Sequence, residues 1–107
     1  METEQLYLLE LAARVTQGEP GAVPALREEF EPWLYRQVQW ALRPGAPPTR
    51  RTRALQAEAK RVRLLSPTAL DDDALAKAVA RRCCDRAIDR LQRESGAALA
   101  LLETVVA

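Results

Sequence analysis

The chain contains no histidine and no asparagine, and its only two cysteines, Cys83 and Cys84, are neighbours. Each absence excludes a class of chemistry. Without histidine or a second cysteine pair there is no zinc-ligand set, and no imidazole for general acid–base work. Adjacent cysteines on a helix point about 100° apart, and bridging them would strain the backbone. They read as two reduced, mostly buried small side chains, as in a reducing compartment. Glycine is scarce, four in all, each at a helix break. There is no glycine-rich phosphate loop and no G-x-S-x-G elbow. No apolar run approaches ~18 residues, the length a membrane span needs. The opening METEQLYLLEL is acidic and lacks a basic n-region, so it does not read as a secretory signal. The expectation is a cytoplasmic protein that is not an enzyme, with no metal, no cofactor and no membrane contact.

What is present is a globular composition: 48% hydrophobic and 29% charged residues, close to balance at a net charge of +1. That balance hides an asymmetry. Residues 1–31 carry seven Glu against two Arg, whereas residues 43–63 carry six Arg and one Lys against one Glu. Either these regions pair with each other and with solvent, or the basic middle is a patch for phosphate or an acidic protein surface. About 100 residues make one domain with a modest core.

Every strong pattern is helical. Thr3 can cap a first helix over about Glu4–Gln17, with Leu6, Leu9 and Ala13 on one side and Gly18 ending it. A second helix begins near Ala22, with Pro24 in its first turn. Val23, Leu26, Phe30, Leu34, Val38 and Ala41 recur at three or four residues, and Pro32 must kink or divide that run. Trp33, Tyr35 and Trp40 concentrate aromatic area here. Trp33 and Trp40 are seven apart, so they share a face, which reads as core or as an exposed docking or base-stacking surface. RPGAPPT, residues 43–49, is a stiff, extended proline-rich connector. Thr49 or Thr52 caps a third helix over about Arg50–Leu65. Its apolar side is thin (Ala54, Leu55, Ala59, Val62, Leu65), and its other side carries Arg51, Arg53, Lys60, Arg61 and Arg63.

Asp71, Asp72 and Asp73 open a fourth helix, where carboxylates suit the positive end of the helix dipole. The ligand spacing of a calcium loop is absent. Along residues 74–94, Arg82, Arg86 and Arg90 recur every four residues and stack into one ridge. Three like charges in a row suggest an anionic partner, although Asp85 and Asp89 lie beside them. Arg81 stands four residues before Asp85, and Arg93 four after Asp89, as salt-bridge partners. Gly96 separates a last helix, residues 97–107, apolar nearly all round. It must bury itself on the body of the domain or on another chain, with Leu99, Leu102 and Val106 as docking residues. The fold expected is all-α, a compact bundle of four to five helices in a single domain over residues 1–107.

Three stretches carry a resemblance. LAARVTQGEPGAVPALREEFEPWLYRQVQWAL places Gly18-Glu19 between two helices, the second bearing Phe30, Pro32 and Tyr35 near its middle. ALQAEAKRV is a weaker match. AKAVARRCCDRAIDRLQRE contains Ala87-Ile88-Asp89-Arg90-Leu91. In this order the pieces resemble the second conserved region of bacterial RNA polymerase sigma factors, of the extracytoplasmic-function type, over about residues 6–94. The resemblance implies a sigma-region-2-like bundle and a role in transcription. Two departures shape that implication. The family's clamp-binding helix is acidic, whereas Arg53, Lys60, Arg61 and Arg63 make this one basic. The family's promoter-melting aromatics precede its last helix, where this chain reads SPTALDDDALAK. Reversed charge abolishes or redirects clamp binding, so the resemblance implies a repurposed scaffold.

Two functions follow from different features. One is a non-catalytic, transcription-associated binding module that contacts RNA polymerase, a regulator or nucleic acid through Arg82, Arg86, Arg90, Arg53, Lys60, Arg61 and Arg63. The other is a protein–protein adaptor or small homo-oligomer, for instance a homodimer, that uses its apolar C-terminal helix and has no nucleic-acid role.

Overall fold

The computed structural model describes residues 3–94, and these are all-α. In chain order the helices are α1 (Thr3–Thr16), α2 (Ala22–Ala41), α3 (Arg50–Leu65) and α4 (Asp72–Arg93). The expected helix over 97–107, with Leu99, Leu102 and Val106, lies outside the described residues. None of the four helices is long and apolar enough to cross a membrane.

The chain divides into two units. Among the described residues the first takes 3–30 and 84–94, and the second takes Glu31–Cys83. α2 and α4 therefore each contribute to both.

In the first unit, α1 buries Leu8, Leu11, Ala12 and Val15. This corrects the expected stripe of Leu6, Leu9 and Ala13: Leu6 is exposed, and Leu9 and Ala13 are only half-buried. The segment is apolar on more than one side, and the buried stripe is the one that holds Leu8, Leu11, Ala12 and Val15. Thr3 is already helical rather than a cap. The helix closes on Gly18, which takes φ +71°, a conformation that costs glycine little. Gly18 N–H donates to the Val15 carbonyl at 3.0 Å and Glu19 N–H to the Arg14 carbonyl at 3.1 Å, the paired bonds of a Schellman motif. α2 supplies Ala22, Leu26 and Phe30 to this unit, and α4 supplies Cys84, Ile88 and Leu91, all buried. Cys84 here is buried, and Cys83, which belongs to the second unit, is half-buried, both as thiols.

In the second unit, Val38 and Ala41 of α2 pack with Leu55, Ala59 and Val62 of α3 and with Leu75, Ala76 and Val79 of α4. Pro32 does not divide α2, which runs through it. Pro32 and Glu28, whose carbonyl loses its amide donor, are both on the exposed side. The missing bond thus falls where water replaces it.

The connector is less extended than its prolines suggest. Ala46 N–H donates to the Arg43 carbonyl at 3.2 Å, and Gly45 takes φ +81°. Arg43-Pro44-Gly45-Ala46 thus follows type II turn chemistry, with proline second and glycine third. Only residues 46–49 lack regular structure. Thr49, not Thr52, caps α3: its side chain accepts from Thr52 N–H at 3.2 Å. Asp71 caps α4, accepting from Ala74 N–H at 2.7 Å.

Candidate binding surface

α3 buries Thr52, Leu55, Glu58, Ala59 and Val62. The stripe is recentred from the expected one, so Ala54 and Leu65 are exposed. Glu58 sits at the edge of this stripe and is only 3% exposed. It is the sole acid of α3. Burying an uncompensated carboxylate is costly, and two cations meet this one. Arg82 Nε of α4 donates to Glu58 Oε1 at 2.8 Å, and Arg61 of α3 donates to Oε2 at 3.2 Å. The Arg61 side chain stays largely exposed and that of Arg82 partly so. Water therefore screens the pairs, and their main effect is to compensate the buried charge.

The outward side of α3 follows from this arrangement. With Glu58 turned inward, every exposed charged residue of the helix is a cation: Arg50, Arg53, Lys60, Arg61 and Arg63. Arg53, Ala57, Lys60 and Leu64 are spaced by four, three and four residues, so they form one stripe opposite the buried one. Leu64 is 86% exposed and Leu65 is 68% exposed. They stand three and four residues after Arg61, on its side of the helix. Arg63 lies 3.9 Å from Asp72, both in water.

The expected arginine ridge of α4 is met differently along its length. Arg82 belongs to the second unit, with its Nε on Glu58. Arg86 and Arg90 belong to the first and are exposed. Arg90 pairs with Glu94 at 3.3 Å. Asp89 pairs with Arg93, as its spacing suggests. Asp85 instead takes Arg27 of α2, not Arg81. An acid four residues before a base is the better helical order, and Arg81–Asp85 has the reverse. The tertiary partner is the better one.

A second polar cluster joins α2 to α4. The Tyr35 hydroxyl of α2 donates to Asp73 of α4 and accepts from Gln39 Nε2 at 2.9 Å. Lys77 Nζ lies 3.0 Å from the other Asp73 oxygen. The hydrogen bonds from Tyr35 and then Lys77 hold the Asp73 carboxyl below its ordinary range. The same carboxylate raises the Tyr35 hydroxyl and the Lys77 ammonium. Tyr35 and Asp73 are 38 positions apart, so no local pattern announces the pair. The three aspartates diverge: Asp71 caps, Asp72 faces Arg63, and Asp73 holds Tyr35 and Lys77. Among the described residues no group of three or more acids or cysteines converges on a metal position.

The two tryptophans also part company. Trp33 is 5% exposed, with the Arg51 guanidinium 5.6 Å from its ring centre. Arg51 in turn donates to Gln37 at 3.0 Å. Trp40 is 50% exposed, with Arg43 at 5.4 Å. A shared helix face does not ensure shared burial, because Trp40 is one residue from the end of α2.

Comparison with protein-family models, with curated proteins and with solved structures finds no match to this chain.

Proposed function

We propose that this chain is a non-catalytic helical binding module whose working surface is the outward face of α3, and that its partner is an anionic macromolecule. The carrying observation is the inward turn of Glu58. With that acid held by Arg61 and Arg82, α3 offers Arg50, Arg53, Lys60, Arg61 and Arg63 to solvent with no acid of its own among them. Such a face attracts phosphates or carboxylates, and counterion release makes its affinity depend on salt. The sigma-factor resemblance adds the setting: a transcription-associated module whose basic helix stands where that family has an acidic one. On this reading Arg82 is a positioning residue for the face rather than a contact to the partner.

The test is binding of the purified chain, across a salt series, to core RNA polymerase and to labelled duplex and single-stranded DNA. The control is Arg53→Glu/Lys60→Glu, two exposed sites. Binding to at least one of these, weakened by salt and lost in the variant, is the expected result. Failure to bind any of them at low salt sinks the transcription-associated setting.

A further inference from the structure

The α3 face carries more than charge, and this inference rests on the reading above. Leu64 and Leu65 are 86% and 68% exposed and stand beside Arg61, with Lys60 and Arg53 further along the same stripe. We infer that the occupant of this face is an acidic protein segment that places apolar side chains on Leu64 and Leu65 while its carboxylates meet Arg53, Lys60 and Arg61. Charge complementarity sets the sign of the partner. The leucines set its class. A nucleic-acid backbone uses the cations alone and would leave two leucines in water. A lipid surface needs the whole apolar side of a helix, and that side of α3 is already buried as Leu55, Ala59 and Val62. A protein segment rewards both features, because an apolar anchor ringed by charged groups is the usual anatomy of a binding hot spot.

The experiment uses a displayed library of helix-forming peptides of about 15 residues, with Glu, Leu, Ala and Lys randomised on one face. It is selected on the immobilised whole chain. Binders are then measured against Leu64→Ala/Leu65→Ala and against Arg53→Ala/Lys60→Ala, both confirmed folded by circular dichroism. Duplex DNA, single-stranded DNA and phosphatidylglycerol vesicles run in parallel, and sedimentation reports on self-association. Enriched peptides that carry both Glu and Leu, and lose about tenfold or more in affinity in either variant, support the inference. Enrichment of Glu without Leu, or binding indifferent to the leucine pair, overturns it. So does salt-sensitive binding confined to DNA or vesicles, which leaves the cationic face standing with a different occupant. Self-association lost in the leucine variant would assign the face to a second copy and likewise overturn it. No binding of any anionic probe removes both this inference and the function proposed above.

Discussion

At the scale of single residues, Glu58 does the most to define the molecule. It is an acid in a buried stripe, and its two arginines let it stay there. Removing Arg82 takes away the charged hydrogen bond that Glu58 Oε1 accepts from α4. Arg82→Ala is expected to lower stability by roughly 1–3 kcal/mol, the smaller end reflecting the solvent around the guanidinium. In a double-mutant cycle by urea denaturation, Arg82→Ala and Glu58→Gln should couple by about 0.5–3 kcal/mol. Additive effects would show that the pair does not hold α3 to α4. The Tyr35–Asp73–Lys77 cluster makes a pH prediction. Asp73 is lowered in the fold, so its contribution is present above the ordinary carboxylate value and fades as pH falls below about 4. Tyr35 and Lys77 are raised, so their contributions are present below their ordinary values and fade as pH rises past about 10. Asp73→Asn should flatten both limbs of a plot of urea midpoint against pH. If the wild-type and variant profiles are parallel at both ends, the cluster plays no part.

At the scale of elements, the helix positions were legible because the stops are chemical. Gly18, the proline-rich 43–49 and Ser66-Pro67 interrupt the helical period, and each interruption lies between two observed helices. Which side of a helix is buried was less legible. On α1 two apolar stripes compete, and on α3 the buried stripe admits Thr52 and Glu58, which no hydrophobic count selects. Propensity and period describe one helix at a time, while burial is decided by its neighbours. Two substitutions test the elements. Thr49→Ala removes the α3 cap and should cost about 1 kcal/mol, measured as a lower urea midpoint with an unchanged slope. Pro32→Ala restores an amide to the exposed side of α2, where the helix already runs on. It should stabilise by up to about 3 kcal/mol. A loss of stability instead would mean that the proline ring itself is needed for packing.

At the scale of the whole molecule, the near-neutral charge conceals a division of labour. The cations of 43–63 were visible as a cluster in the sequence, and α3 gathers most of them on its outer side. What the sequence could not display is why no acid interrupts them, since Arg82 lies 24 positions from Glu58 and meets it only through the fold. This separates binding from stability in a measurable way. Arg53 and Lys60 project into water, so Arg53→Ala/Lys60→Ala should change stability by no more than about 0.5 kcal/mol per site. On a partner that makes phosphate contacts, each lost cation should reduce the slope of log affinity against log salt by about 1. Arg82→Ala should do the opposite, with a clear loss of stability and little change in slope, because its guanidinium serves Glu58. Paired denaturation and salt titrations of both variants decide the matter. If Arg82→Ala lowers the slope as much as either outer cation does, the α4 ridge is part of the contact and the binding surface extends beyond α3.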